Sequence, residues 1–223
     1  MNDYASDCLH EILNKLQGIE YIKPEDIPNI DLYMDQVTTF MDEHLSTMRR
    51  YDSDKILTKT MINNYAKNNL LPPPVKKKYS KEHMLLLIFI YYFKNILSIN
   101  DIQRLFTPLT EKYFNEPNEL NLQDIYNEVF GFEKEQADRL VKDVLAEYKK
   151  SFHSFSNVPE EEKEFLHLFS FICMLSFDVY VKKLIIEKLI DDLPNICDMD
   201  NKNSKEKNKE KSKKESVKKK EKV

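Results

Sequence analysis

Residues 57–106 read LTKTMINNYAKNNLLPPPVKKKYSKEHMLLLIFIYYFKNILSINDIQRLF, and this stretch decides the fold of the 223-residue chain. A short polar helix is predicted to begin after Thr58. The triple proline at 72–74 cannot continue a helix, so the chain is expected to leave it extended and to present the lysine run at 76–78. A very apolar helix follows, and then another with a mixed face.

Hydroxyl side chains mark the start of each predicted helix. Thr58 has the hydroxyl of an N-cap, and Ser80 is expected to cap a helix that runs to about Phe93. Ser98 with Asp101 has the spacing of a capping box, with the shorter acid in place of the usual Glu. The predicted buried face of the last helix consists of Ile99, Ile102, Leu105 and Phe106.

The first helix of the stretch has one apolar and one polar face. Met61, Ile62 and Tyr65 recur at three- and four-residue spacing, which predicts a buried stripe. Asn can pair bidentately with adenine and Lys can bind phosphate or guanine, so the polar face suits DNA readout, with an ordinary solvated face as the alternative. The candidate DNA-contacting residues are Lys59, Thr60, Asn63, Asn64 and Lys67 on the helix and Lys76, Lys77, Lys78 and Tyr79 beyond it.

The stretch resembles the MerR-type winged helix-turn-helix. That family has an aromatic-containing helix ending in Leu-Leu-Pro-Pro, a basic wing, a Tyr-Ser-x-Glu/Asp helix opening and a Ser-x-x-Glu/Asp-Ile-x-x-Leu helix. The resemblance implies a DNA-reading helix followed by a wing that contacts the phosphate backbone. The matching residues are Tyr65, Leu70–Pro73, Lys76–Lys78, Tyr79–Glu82 and Ser98–Leu105.

The sequence is still closer to a bacterial family termed domain of unknown function 1836, which is itself MerR-like in this segment. Its Asp-Leu-Tyr-Met-Asp-Gln-Val-Thr-Thr-Phe element is similar to Asp31–Phe40. The resemblance thus covers Asp31 to Phe106.

The chain also departs from the MerR pattern. Asn63 stands where an Arg is usual and Asn64 where the first of two tyrosines is usual, so no base preference carries over. The wing has no glycine for a tight hairpin tip, and about a dozen residues from Leu45 to Ile56 separate the first two helices.

Charge is distributed unevenly along the chain. The whole chain has 34 basic and 38 acidic side chains and a net charge of −4. Residues 49–81 nevertheless contain nine Lys and Arg against two Asp, and residues 201–223 contain eleven Lys against four Glu. An acidic body with one basic segment at the motif is what a localised phosphate-binding face would produce.

Composition favours a mostly α class, because the chain has two glycines and nine prolines. We expect a MerR-like helix-turn-helix domain followed by a C-terminal helical bundle. The predicted divisions are residues 1–30 (an N-terminal helix and linker), 31–108 (the helix-turn-helix domain, which would end at Pro108), 109–198 (the helical C-terminal domain) and 199–223 (a Lys-rich tail).

Two helices are predicted in front of the motif. The first has one face formed by Tyr4, Cys8, Ile12 and Leu16. The second would begin at Asp31 as its N-cap and pack behind the reading helix through Val37, Phe40, Met41 and Leu45.

The C-terminal region predicts a helical assembly. One helix has an apolar stripe, and the next opens at Pro159 and is apolar nearly all round from Phe165 to Val181. That stretch is either the centre of a bundle or is sealed by a second subunit, which predicts a homodimer through Ala137 to Ile190. Asp178, His167 and two serines argue against a membrane span. The members of the stripe are Ala137, Leu140, Val141, Val144, Leu145 and Tyr148.

The tail from Asn201 is Lys, Glu, Ser and Asn with two valines, so it is predicted to be disordered. It would serve as a nonspecific phosphate tether or as a solubilising tail. The polar N-terminus has no apolar secretory segment, so a cytoplasmic location is expected.

Motifs for catalysis are not found. Two glycines cannot supply a phosphate-cradling loop or a nucleophile elbow, and the His and Cys residues have no metal-ligand spacing, so we expect no enzyme activity, metal or cofactor. The sequence therefore predicts a transcriptional regulator that binds double-stranded DNA, with a C-terminal bundle that dimerises or binds an effector. The alternative is a helical protein–protein adaptor that retains the scaffold without binding DNA.

Overall fold

A computed structural model of the chain describes Glu11, Leu13, residues 21–115 and residues 119–220, and the side chains at 133–135 and 195–220 are not described. The chain divides into two compact units, Met1–Lys182 and Lys183–Val223. The N-terminal face predicted at Tyr4, Cys8, Ile12 and Leu16 lies outside the described residues.

Helices dominate the described chain, which confirms the predicted mostly α class. Two short antiparallel strands form a two-stranded sheet. Single turns of 3-10 helix occur at Pro24–Asp26 and Ser46–Met48. In chain order the elements are β1 (Leu32–Tyr33), α1 (Met34–Leu45), α2 (Lys59–Lys67), β2 (Lys78–Tyr79), α3 (Lys81–Phe93), α4 (Ile99–Tyr113), α5 (Leu122–Gly131), α6 (Glu133–Ser151) and α7 (Glu160–Lys220).

Three of the four predicted N-caps are confirmed. The Thr58 hydroxyl accepts from the Met61 N–H at 3.1 Å, and α3 and α4 follow Ser80 and Ser98. Asp31 was wrong as an N-cap. Leu32 and the residue after it pair in β1, so α1 begins only at Met34.

Helix α3 is the centre of the first unit. Every residue from Met84 to Tyr91 is buried, because other elements cover the helix on all sides. Phe89 packs against Phe106 of α4, as predicted for that face, at a centroid distance of 6.3 Å. Ile102 is also buried, whereas Ile99 is exposed in the first turn, so its predicted burial was wrong.

Helix α5 is part of the same core, although the sequence predicts a domain boundary at Pro108. Helix α4 continues through that proline to Tyr113. Tyr126 of α5 is fully buried, and its ring lies 5.3 Å from that of Phe89. Its hydroxyl donates to the Ile22 carbonyl oxygen at 2.7 Å. These contacts place α5 in the core with the motif, so the boundary at Pro108 is corrected.

Helices α6 and α7 form a smaller core in the first unit. Val141 of α6, Phe171 of α7 and Leu13 are buried together. Tyr148 adds an edge-on ring contact to Phe171 at 5.2 Å. Most of the predicted α6 stripe faces this core, but Leu140 is exposed.

Elsewhere on α7, several large apolar side chains are exposed among the residues that the structure describes. Phe165 is 69% exposed and Phe177 is 68% exposed. The interpretation of Phe165–Val181 as the centre of a bundle was therefore wrong, because only the side around Phe171 packs inward.

The second unit is the C-terminal part of α7. Lys188 pairs with Asp192 one turn later at 3.2 Å. The helix continues through the Lys-rich segment to Lys220, where the sequence predicts disorder. Lys and Glu have high helix propensity and the segment lacks Gly and Pro, so its local preference is helical.

Candidate nucleic-acid interface

Helix α2 exposes the polar face that the sequence predicts. Ile62 and Tyr65 are buried, and burial raises the pKa of Tyr65. The five predicted contact residues all lie on the exposed side: Lys59, Thr60, Asn63, Asn64 and Lys67. An α-helix is about 10–12 Å across with its side chains, which fits a major groove about 12 Å wide.

The chain after α2 turns sharply and anchors the helix. Asn69 adopts a positive φ of 54°, a conformation that Asn tolerates better than most residues. The N–H groups of Leu70 and Leu71 both donate to the Tyr65 carbonyl oxygen, at 2.9 and 3.2 Å. Both leucines are fully buried, so they hold the C-terminal end of α2 against the core.

Lys94 anchors the other end of α2, and the sequence alone did not identify it. Its ammonium donates to the Ile56 carbonyl oxygen at 2.6 Å, two residues before the Thr58 cap. It also lies 5.0 Å from the centroid of the Tyr91 ring. Burial lowers the pKa of Lys94. The contact spans 38 residues of chain, so no local pattern could have predicted it.

The lysine run forms a two-residue hairpin turn. The Val75 N–H donates to the Lys78 carbonyl oxygen at 3.1 Å, and the Lys78 N–H donates to the Val75 carbonyl oxygen at 2.9 Å. Between them, Lys76 and Lys77 adopt positive φ values of 51° and 65°. Positive φ at both central residues is the mark of a type I′ turn, which Asn-Gly usually forms. The turn therefore closes without glycine, at a cost of roughly 1–2 kcal/mol per lysine.

The last two candidate residues, Lys78 and Tyr79, form strand β2 and lie in opposite environments. The strand pairs with β1 so that Leu32 lies opposite Tyr79 and Tyr33 opposite Lys78. Lys78 points outward, with its ammonium 5.1 Å from the centroid of the exposed Tyr33 ring. Tyr79 points inward, is 2% exposed and has a pKa raised by burial. Its prediction as a DNA-contacting residue was wrong, because successive residues of a strand face opposite sides.

Two residues near the start of α1 connect the hairpin with α2. Tyr33 contacts Lys78, and Asp35 forms an ion pair with Lys59 in the first turn of α2. Tyr33 and Asp35, which make these contacts, are only two residues apart in the chain. The N-terminal end of α2 and the base of the hairpin therefore lie within reach of one extended ligand.

His83 supports the segment from behind and was also missed in the sequence. It is buried, and its Nδ1 accepts from the Ser80 N–H at 3.0 Å, the role that Glu usually has in a capping box. Burial lowers the pKa of His83, opposed in part by the backbone of Pro73 and Pro72 and by the charge of Asp31. The Ser-x-x-His spacing is the sequence feature from which this capping contact could have been predicted.

The described residues do not form a metal site or a membrane span. No three of their His, Cys, Asp and Glu side chains group as metal ligands would. None of the helices in that part of the chain combines the length and the apolar content of a membrane span.

Comparison with known families identifies the segment that holds this interface. Residues 22–129 match the family described as "Domain of unknown function (DUF1836)". The match runs from before β1 into α5, so it is longer than the Asp31–Phe106 resemblance noted from the sequence. Searches of curated proteins and of solved structures found no match.

Proposed function

We propose that this protein is a sequence-specific DNA-binding transcriptional regulator in which α2 enters the major groove. The observation that carries the proposal is the exposed face of α2, where two adjacent asparagines, Asn63 and Asn64, lie between Lys59 and Lys67. Asn supplies base-edge hydrogen bonds and Lys supplies phosphate contacts. Buried contacts at both ends hold this helix, which favours a rigid readout surface.

The hairpin provides a second, sequence-independent contact in this proposal. Lys76 and Lys77 occupy a turn whose backbone conformation disfavours them, and both are exposed. Strained conformations that persist are concentrated at functional sites. The order β1, α1, α2, hairpin is similar to that of a MerR-like winged helix-turn-helix, which supports a role for the hairpin as a wing on the DNA backbone.

A salt titration tests the proposal. Fluorescence anisotropy would measure the binding of an AT-rich duplex by the full chain and by a chain that ends at Asp200, which removes the Lys-rich tail. We expect both to bind, with log affinity falling linearly against log salt concentration. No binding by the shortened chain at low salt would refute DNA binding through the motif.

Charge-matched variants locate the contact. Replacing Lys76, Lys77 and Lys78 with Gln should reduce the salt slope by about 3, since each lost phosphate contact lowers it by about 1. The control replaces the exposed Lys142, Lys149 and Lys150 of α6, which changes the net charge equally. Equal effects of the two triple variants would show that net charge, and not the hairpin, drives binding.

The exposed apolar side of α7 favours a second candidate function, that of a helical protein–protein adaptor. In this alternative the scaffold is retained but DNA is not bound.

We further propose that the protein is not an enzyme, uses no cofactor and acts in the cytoplasm, where a regulator meets DNA. The C-terminal helices are the candidate site for an effector.

A further inference from the structure

We propose that α7 binds the α7 of a second copy of this chain in antiparallel orientation. The contact surface is the outer stripe, a row of large exposed apolar side chains along one face of α7. This proposal does not depend on DNA binding. The outer stripe consists of Phe165, Leu168, Phe169, Ile172, Val179 and Tyr180.

Helix geometry places the outer stripe on one face. Its members are separated by one, three, four or seven residues, and residues three, four and seven apart share a side of a helix. Phe171 and Leu175, which pack against α6, lie beside this face, since Leu175 is three residues from Ile172 and Phe171 is three from Leu168. Within the described part of the chain, α7 therefore packs against α6 beside this face, while the six side chains of the outer stripe stay exposed.

The exposed area is sufficient for a specific interface. The side chains of the outer stripe are 40–69% exposed. A large side chain that is half exposed leaves roughly 100 Å² in water, so the stripe presents on the order of 600 Å² per chain. Pairing two copies would bury about 1,200 Å², within the range of specific interfaces. A single exposed patch of this size marks an interaction site in a soluble protein.

The distribution of charge selects the antiparallel orientation. From Phe165 to Val181 the one charged residue is Asp178, which pairs with Lys182 at 2.6 Å. Residues 160–164 before the stripe hold four glutamates and one lysine, Lys163, a net charge of −3, and Lys182 and Lys183 follow the stripe. In a parallel pair these like charges would meet, whereas in an antiparallel pair the acidic end of each helix meets the basic end of the other.

The midpoint of the stripe sets the register. Ile172 lies seven residues from both Phe165 and Val179. With Ile172 on the twofold axis, Phe165 of each copy lies opposite Val179 of the other, so the most exposed members cover each other. Glu161 would then lie about 33 Å from the same residue of the second copy, since each is 11 residues from the axis at 1.5 Å per residue.

Cysteine cross-linking of the full chain tests orientation and register. In a background with Cys8, Cys173 and Cys197 replaced by Ser, Ile172→Cys should form a disulfide-linked dimer under mild oxidation, because a residue on the axis meets its own copy. Glu161→Cys should form no such disulfide, because the two copies of residue 161 would lie far apart in an antiparallel pair. Cross-linking of both variants would indicate a parallel pair and overturn the proposal. A dimer by light scattering with no cross-link at residue 172 would overturn the register.

Assembly itself is measured by light scattering at micromolar concentration. The unmodified chain should be a dimer, and Ile172→Glu should be monomeric with an unchanged circular dichroism spectrum, since the side chain is half exposed. The matched control is Ile185→Glu, because Ile185 is similarly exposed but lies 13 residues along the helix from Ile172, which places it on another side of α7. A monomeric unmodified chain, or loss of the dimer in both variants, would overturn the proposal.

Discussion

The carboxylate of Asp35 forms an ion pair with the ammonium of Lys59, although both side chains are largely exposed. This pair puts an acid at the point where α2 would approach a DNA phosphate. An exposed ion pair contributes little to the stability of the protein, because water weakens the attraction between its charges. Its effect on DNA binding should be larger, because a phosphate must compete with the carboxylate for the same lysine.

Replacement of Asp35 tests that competition. Asp35→Asn should strengthen duplex binding by about two- to fivefold at low salt, the range expected for breaking one exposed pair and removing one repulsive charge. Anisotropy against a fixed duplex measures the change. Glu43→Gln, which removes an exposed acid two turns further along α1, should have a smaller effect. Weaker binding by Asp35→Asn would show that the pair positions Lys59 for contact.

Substitutions in the hairpin turn should change the stability of the protein and its affinity for DNA in opposite directions. Lys76→Asn with Lys77→Gly places the preferred type I′ residues at two strained positions. It should raise the free energy of unfolding by about 1–2 kcal/mol in urea titrations, less than the strain of two lysines because Gly loses more entropy on folding. The same variant should weaken DNA binding, because two positive charges are lost. Lys76→Gln with Lys77→Gln is the control, since it removes the charges but keeps the strain. Equal stability of the two variants would contradict the strained turn.

The asparagines of α2 should determine sequence preference. If Asn63 or Asn64 pairs with a base, its replacement by Ala should reduce discrimination between a selected site and its variants by about 1–3 kcal/mol. Lys67→Gln should instead weaken all duplexes alike. Competition binding with single-base variants measures both. Undiminished discrimination in both Asn variants would mean that α2 is not the reader.

Burial of His83 predicts a pH-dependent stability. Its pKa is lowered in the folded state, so the unfolded chain binds the proton first. The free energy of unfolding should therefore fall as pH drops below about 6.5, the ordinary His pKa, by up to about 1.4 kcal/mol per pH unit. Urea titrations at pH values from about 5 to about 8, on both sides of the ordinary His pKa, measure this pH dependence.

His83→Gln is the matched variant for that experiment, because Gln at this position retains the capping box to Ser80. Its stability should depend less steeply on pH below about 6.5. Identical profiles for the two proteins would assign the titration to groups other than His83.

Features that depend on a few neighbouring residues could be predicted from the sequence. The Thr58 cap and the exposed face of α2 follow from local spacing, and the structure confirms both. Features set by distant chain segments could not be predicted. The burial of Tyr79 follows from pairing with β1, and the role of Lys94 from a carbonyl 38 residues away. Pro108 indicated a boundary, but the burial of α5 against α3 overrides it.

The hydrogen bond from Tyr126 to Ile22 joins the two ends of the segment that matches the family. Residue 22 is where the match begins, and Tyr126 lies three residues before it ends. A domain whose termini adjoin can be circularly permuted or inserted into a loop of another protein with little disturbance. The two ends of the matched segment therefore adjoin, a geometry that permits insertion of such a segment into another chain.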